Sequence, residues 1–440
     1  MKKLVFKLYN MKKTLILITL ILCLFACKNK DTEVTQGFVK VQNGQFVMNE
    51  QPYYFIGTNF WYGAILGSEG QGGNRDRLIK ELDFMQSIGI NNLRVLVGAD
   101  GLSGQAVKIM PTLQLEPGVY NDTIFDGLDY FMSELGKRKM FAVLYINNSW
   151  EWSGGYGQYL NWAGKGDVPE EGVRDWAKFQ THVSQYAACA ACKELFFNHV
   201  KYVINRTNRY TGVKYTDDPA IMSWQVGNEP RAFSEEAKEP FAQWLEETTA
   251  LIRSLDTNHL ISLGNEGLMG SEYDMDLYEK IHADPNVDYI TIHIWPKNWS
   301  WLDIANIPAS LDAAIAKTNE YMDAHLAIAR KLYKPMTIEE FGFPRDNHLY
   351  SLDDPTTARD GYYEHIFRQV VVSAESQEFL AGCNFWSWGG FGRPAHLYWS
   401  PWDDYVGDPS QEEQGLNSVF DTDSTIEIVK KYAKKLNTLK

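Results

Sequence analysis

The chain has 440 residues, of which 45% are hydrophobic and 14% aromatic, and a formal net charge of −14 at pH 7. That much apolar material fills a large core, as one barrel or as two smaller domains. The acidic balance excludes a nucleic-acid surface and suits a body acting on a neutral ligand.

The chain begins with a targeting pattern. Met11-Lys12-Lys13 precedes an apolar run from Thr14 to Phe25, too short for a durable membrane span, and polar residues follow at once. Leu24-Phe25-Ala26-Cys27 resembles a bacterial lipobox, in which Cys27 is lipidated and becomes the mature N-terminus. Residues 1–27 therefore read as a signal peptide with translation starting at Met1 or Met11, residues 28–35 as a short tether, and 36–440 as a single folded domain. This places the protein in the cell envelope as an outer-membrane lipoprotein, or outside the cell without the lipid. The remaining cysteines offer no disulfide framework, and Cys189 and Cys192 read as small-residue packing in an Ala-rich helix.

A hairpin signal around Val39–Tyr54 turns at Asn43-Gly44. Eight apolar, strand-like segments follow: Tyr54–Asn59, Asn92–Val97, Met140–Ile146, Ile221–Val226, Leu260–Leu263, Tyr289–Ile294, Pro335–Glu339 and Cys383–Trp388. Helical spacing appears between many of them, over Arg77–Ser87, Ile124–Lys137, Phe241–Leu255, Leu311–Leu332 and Tyr362–Glu375, and finally over Ile426–Leu436. The 186–206 region is ambiguous, and the helix near Leu277–His282 is short. Eight strands with helical crossovers indicate an α/β fold, a (β/α)8 TIM barrel carrying a short N-terminal β-hairpin.

In such a barrel functional side chains belong at the C-terminal ends of the strands and in the loops that follow. The polar candidates fall there: Asn59 with Trp61, Arg94, Asn147 and Asn148 with Trp150, Asn228 with Glu229, Asn265 with Glu266, His293 with Trp295, Glu339 with Glu340, and Trp386 with Trp388. The fourth and seventh strands oppose each other, so their carboxylates can flank a group bound across the mouth. Glycosidic cleavage needs such a pair, one acid to protonate the leaving oxygen and a second carboxylate to attack the anomeric carbon or activate water. The many tryptophans of the mouth-side loops can cover the C–H faces of sugar rings. His293 has no companion set of ligands, so no metal or organic cofactor is expected.

The motifs Asn-Leu-Arg94-Val, Leu-Gln-Leu-Glu-Pro-Gly118-Val-Tyr-Asn, Gly-Asn228-Glu229-Pro-Arg231, Thr-Ile-His293-Ile-Trp-Pro and Ile-Glu-Glu340-Phe-Gly recur in order. They resemble the glycoside hydrolase family 5 β-mannanases over about residues 36–435. The resemblance implies retaining, endo-acting hydrolysis of β-1,4-mannosidic linkages, with Glu229 as acid/base and Glu340, directly before Phe341-Gly342, as nucleophile. It also implies that Arg94 holds the nucleophile ionised, Asn228 binds the sugar 2-hydroxyl, His293 contacts sugar or the carboxylates, Trp386 floors the cleavage position and Arg231 binds on the leaving-group side. Trp61, Asn147, Trp150 and Trp295 complete the expected binding set. Trp295 stands where many relatives carry a tyrosine that donates to the nucleophile. Expected partners are β-mannan and mannooligosaccharides, and a membrane through the N-terminal lipid, with a monomeric catalytic domain. Exo-acting β-mannosidase or mannobiohydrolase action, β-1,4-glucanase action and non-catalytic glycan binding are the alternatives.

Overall fold

A computed structural model describes residues 36–102, 109–169 and 175–439. The leader, the tether and the lipidation candidate Cys27 lie outside the described residues. Among those residues no helix is long and apolar enough to cross a membrane.

The first element is a three-stranded antiparallel meander rather than a simple hairpin: β1 (Val39–Gln42), β2 (Gln45–Met48) and β3 (Gln51–Pro52). Asn43 and Gly44 take positive φ at the expected turn. Phe46 is buried edge-on against Tyr289, 5.2 Å away, and stacks on Phe55. The meander is thereby fastened to the residues that open two barrel strands, at the end remote from the mouth.

The barrel comprises β4 (Phe55–Asn59), β5 (Asn92–Leu96), β8 (Phe141–Tyr145), β9 (Ile221–Gln225), β10 (Leu260–Ser262), β11 (Ile290–Ile294), β12 (Met336–Phe341) and β13 (Leu380–Phe385). Two short strands, β6 (Gln114–Glu116) and β7 (Val119–Tyr120), form a ribbon outside it. The ladders are parallel in the order β10-β9-β8-β5-β4-β13-β12-β11. Between β10 and β11 the ring is joined by individual hydrogen bonds, Asp288 N–H to Ile261 O (2.9 Å) and His293 N–H to Glu266 O (3.0 Å). All eight strands are buried on both faces, as parallel strands sheathed by helices must be.

The eighth strand is displaced from its expected place. It ends at Phe385, and the run that extended the pattern to Trp388 leaves the barrel: Trp388–Gly390 (β14) pairs in parallel with Val419–Phe420 (β15). The excursion between them, 391–418, lies over the mouth side. The helices occur where expected but begin earlier, at Arg75, Asp122, Lys238, Ile307 and Thr357. The ambiguous region resolves into a helix over Ala190–Ile204, and the short helix spans Met275–His282. Cys189 and Cys192 are not mere packing; they form a disulfide at the first turn of the 190–204 helix.

Candidate active site

Glu229 lies just past β9 and is held by a backbone that nothing in its own sequence would favour. Its φ is +50°, a left-handed conformation that costs a non-glycine residue about 1–3 kcal/mol and persists only where the surroundings over-determine it. They do so here. Asn228 N–H donates to Asn147 O (2.8 Å), Glu229 N–H to Gly264 O (3.0 Å), and the Ser149 hydroxyl to Glu229 O (2.6 Å). Gly264 is obligatory at that contact, because a Cβ there would stand 2.0 Å from Gly227 O.

Glu340 is carried by β12, where the β11–β12 register shifts between Ile292 and His293, so that His293 pairs with Glu340 and Glu339 is the extra residue. Strand alternation would send one of two adjacent glutamates outward. The bulge re-aims them, and both remain in the buried interior. Glu340 reaches the cleft, while Glu339 accepts from the Gln225 amide and the Tyr289 hydroxyl (3.1 Å). Burial raises the Glu339 carboxyl above its ordinary value.

Between the opposed carboxylates stand two cations. Arg94, wholly buried, donates to Glu340 Oε1, to Gln225 Oε1 (2.8 Å), to Asn59 Oδ1 (3.0 Å) and to Asn228 Oδ1 (2.9 Å). Its guanidinium lies over the Tyr145 ring at 4.4 Å. His293 Nδ1 is 2.8 Å from Glu229 Oε1 and 3.3 Å from Glu340 Oε2. One oxygen from each glutamate and a ring nitrogen of His293 lie within 4.8 Å of one another. Burial works against the His293 cation, but Glu340 and Glu229 outweigh it and raise the imidazole to about 9. Burial likewise opposes ionisation of Glu229, yet the His293 contact, the Arg231 charge and the Trp150 N–H donor bring it down to about 2.

Farther along the cleft, Arg231 is paired with Glu266 and its guanidinium lies 5.5 Å from the centre of the Trp150 ring. Burial, opposed by Arg231 and reinforced by the charge of Glu229, lifts the Glu266 carboxyl to about 7. Together these side chains line an open cavity of about 580 Å³, within the usual range of ligand sites. Its aromatic wall comprises Trp150, Trp152, Trp176, Trp295, Trp299, Trp386 and Tyr398.

The cavity therefore gathers Trp150, Asn228, Glu229, Arg231, Trp295, Glu340 and Trp386, with Arg94 and His293 buried behind the carboxylates. Two expected binding residues lie elsewhere. Trp61 is 1% exposed and its indole donates to Gly407 O (2.7 Å), because the 391–418 excursion folds over it. Asn147 is buried, donating to the Tyr186 hydroxyl (2.8 Å) and accepting from Asn148 N–H, so it shapes the loop that carries Trp150. Trp388 also leaves the mouth and donates to Glu81 (2.8 Å). Trp295 lies edge-on to Trp386 at 6.1 Å; the donors to Glu340 are Arg94 and His293. Sequence reasoning missed Gln225, Tyr289, Trp176 and the 398–417 wall. Of these only Gln225, polar within an apolar strand, carried a visible signal.

An eight-stranded α/β barrel with two facing carboxylates at its C-terminal mouth, in an aromatic cleft, defines a glycoside hydrolase. The profile described as "GH family 5 beta-mannosidase-like" matches residues 36–440, and the chain belongs to that family. Mannan endo-1,4-beta-mannosidase 1 of Oryza sativa subsp. japonica is 30% identical over 365 residues, 80% of this chain and 78% of the relative. The crystal structure of a glycoside hydrolase family 5 mannosidase from Rhizomucor miehei is 33% identical, with a TM-score of 0.85, over 92% of this chain and 98% of that one. An endo-1,4-beta-mannanase from the same fungus shares the fold, with a TM-score of 0.66 at 22% identity over 91% of this chain and all of that one.

Proposed function

We propose that the protein hydrolyses β-1,4-mannosidic linkages within mannan, galactomannan or glucomannan by double displacement with retention. The observation that carries this reading is the approach of Glu229 and Glu340 oxygens to within 4.8 Å across the cleft. Retaining enzymes hold the two carboxyl groups about 5–5.5 Å apart, whereas inverting ones leave about 6.5–9.5 Å for a water molecule. Plant mannan endo-1,4-beta-mannosidases among the relatives support the substrate, as does a complex of the Rhizomucor mannosidase with mannosyl-fructose.

In this mechanism Glu340, held in place by the Arg94 guanidinium, attacks the anomeric carbon while Glu229 gives its proton to the leaving oxygen. The glycosyl ester removes the charge of Glu340, and Glu229, now a base, takes a proton from the incoming water. His293, touching both carboxylates, moves proton affinity between them as that charge disappears and returns. Asn228, oriented by Arg94, binds the 2-hydroxyl. Trp386 floors the cleavage position, while Arg231 and Trp150 bind the leaving-group side. Timed product analysis on linear mannan, galactomannan, glucomannan and cellulose is the test, with Glu229→Ala and Glu340→Ala as controls. Mixed mannooligosaccharides are expected from the wild type. Full hydrolysis by either variant, or action on cellulose alone, refutes the assignment.

A second reading, removal of mannose or mannobiose from chain ends, is favoured by the closer fold match to the Rhizomucor mannosidase and by the 391–418 excursion. That segment brings Tyr398, Pro409, Gln411, Glu413 and Asn417 to one wall of the cavity, where a long loop can obstruct passage of a chain. The same time course decides, because mannose or mannobiose alone throughout the reaction would replace the endo reading.

The leader supports a lipoprotein held in the cell envelope through Cys27, on the outer membrane, with a catalytic body acting as a monomer. Cys27→Ser should release the enzyme from the membrane fraction and abolish labelling by a fatty-acid analogue. Retained membrane association refutes the anchor, and sedimentation as a dimer refutes the monomer.

A further inference from the structure

The 391–418 excursion builds more than a wall of the cleft. Tyr398 lines the catalytic cavity, and the next residue, Trp399, lines a second cavity of about 170 Å³ together with Trp402, Asp403, Asp404, Asn74 and Gln71. Leu66 and Met110 complete its walls, so the loops after β4, β5 and β13 form it and it opens at the same barrel end as the acid pair.

Trp402 is 83% exposed, more than any other large apolar side chain among the described residues. Its φ is +84°, a conformation that burdens a bulky residue. Fraying does not account for that display, because the turn beneath it is heavily bonded. Asp403 N–H donates to Ser400 O (2.9 Å), Ser400 N–H to Asp403 Oδ2 (3.0 Å), and the Trp399 indole to Asp403 O (3.2 Å). Trp399 stacks on Tyr405 at 4.6 Å and 6°, and the Tyr405 hydroxyl is fixed at Met110 O (2.8 Å). A rigid turn thus holds a bare indole in water beside polar side chains. Asp404 is half exposed, and Asn74, whose Oδ1 accepts from the Arg77 N–H, lines the cavity beside Gln71. Flat aromatic faces beside carboxylate and amide groups are what a sugar ring requires, apolar C–H face to ring and hydroxyls to the polar rim.

We propose that this groove is a second, non-catalytic binding site for a β-linked hexose chain, holding a stretch of the polymer whose other part lies in the cleft. The inference rests on the β-mannan reading of the active site. Its test uses full-length protein with Glu340→Gln to prevent turnover, and measures binding to insoluble linear mannan with and without Trp402→Ala or Asp404→Ala. Loss of the stacking face should weaken binding roughly tenfold. In the active background KM on polymeric mannan should rise, while kcat/KM on a short mannooligosaccharide that cannot span both sites stays at the wild-type value. Unchanged mannan binding in both variants, with wild type still cleaving mannan, overturns this proposal alone. A wild type that neither binds nor cleaves mannan overturns the substrate reading and the proposal with it. A change in sedimentation on Trp402→Ala without a change in binding assigns the indole to self-association and also overturns it.

Discussion

Replacing His293 with glutamine tests the electrostatic design of the site most directly. The amide keeps a donor near Glu229 but cannot carry charge. In the wild type the imidazole rises from 6.5 to about 9, a gain of about 2.5 in pKa and thus roughly 3 kcal/mol of favourable interaction with its surroundings. Glu229 and Glu340 touch it, Glu339 and Glu266 also interact with its charge, and Arg94 and Arg231 are paired with Glu340 and Glu266. His293 Nδ1 is in hydrogen-bond contact with Glu229 Oε1, so a proton can pass between them, and the imidazole holds its proton up to about pH 9. The alkaline limb of kcat/KM against pH should therefore lie near 9 in the wild type. In His293→Gln the proton must reside on Glu229 alone, and the limb should fall by about two pH units or more, since a carboxyl with an adjacent arginine is the only carrier left. Stability gives an independent reading. A folded pKa above the unfolded value contributes stability that is complete below about 6.5 and lost as pH rises through about 9. Wild type should lose up to roughly 3 kcal/mol across that window in chemical denaturation, and His293→Gln should lose far less. An alkaline limb that stays in place in the variant, or an equal stability loss in both proteins, would refute the assignment of the proton.

Other outcomes follow from the same geometry. Glu340→Ala should lose on the order of a thousandfold or more in kcat, and azide should restore turnover with an α-configured glycosyl azide as product. Rescue giving the β-azide would instead assign the position to the acid. Glu229→Ala should be severe on mannan but mild in kcat/KM on an aryl mannoside whose leaving group needs no proton, while kcat there still falls because the second step has lost its base. Arg94→Lys keeps charge but loses the fork that holds four acceptors, so a destabilisation of about 1–3 kcal/mol in urea unfolding is expected. Gly264→Ala should cost about 1–3 kcal/mol and disproportionately lower kcat, because the Gly227 carbonyl must move beside Asn228 and Glu229. The Cys189–Cys192 disulfide closes so small a loop that its reduction should lower the unfolding free energy by about 2 kcal/mol at most.

Barrel strands buried on both faces are largely apolar runs, and that is why all eight were legible. The same rule misplaced the last one: Trp386 and Trp388 prolong the apolar run of Leu380–Phe385, yet only contacts distant in sequence reveal that Trp388 belongs to a different pairing. Helix starts were read two to five residues late, since the first turns at Arg75, Asp122 and Thr357 are polar and the apolar rhythm begins only where a helix meets the barrel. Asn74 and Asn121, which accept from the backbone at two of these starts, were the signal to use. At the site, several residues placed by their own strand ends line or back the cavity, Glu229 and His293 among them. Trp61 also follows a strand end and was misread, because the carbonyl that captures its indole arrives 346 residues later. Trp176 and the 398–417 wall reach the cleft by long loops whose path has no local periodicity.

The adjacent glutamates show how a bulge can join fold to chemistry. Without the register shift at His293, either Glu339 or Glu340 would face the helices, and a buried carboxylate there would lack the donors that the barrel interior supplies. With it, Glu339 is satisfied by Gln225 and Tyr289 on the barrel axis, and its raised proton affinity lets it lie near Arg94 without claiming that cation in full. Arg94 Nε stands 3.9 Å from Glu339, while its Nη1 donates directly to Glu340. The positive charge is thus directed to the carboxylate at the cleft. Glu340 already has Arg94 and His293 as partners, and Trp295 serves as an aromatic wall. Gly342 makes that possible, because a Cβ there would stand 2.7 Å from the Trp295 ring. Substituting tyrosine at 295 alone should consequently raise KM on mannooligosaccharides more than it lowers kcat, and a fall in kcat at unchanged KM would refute the wall role.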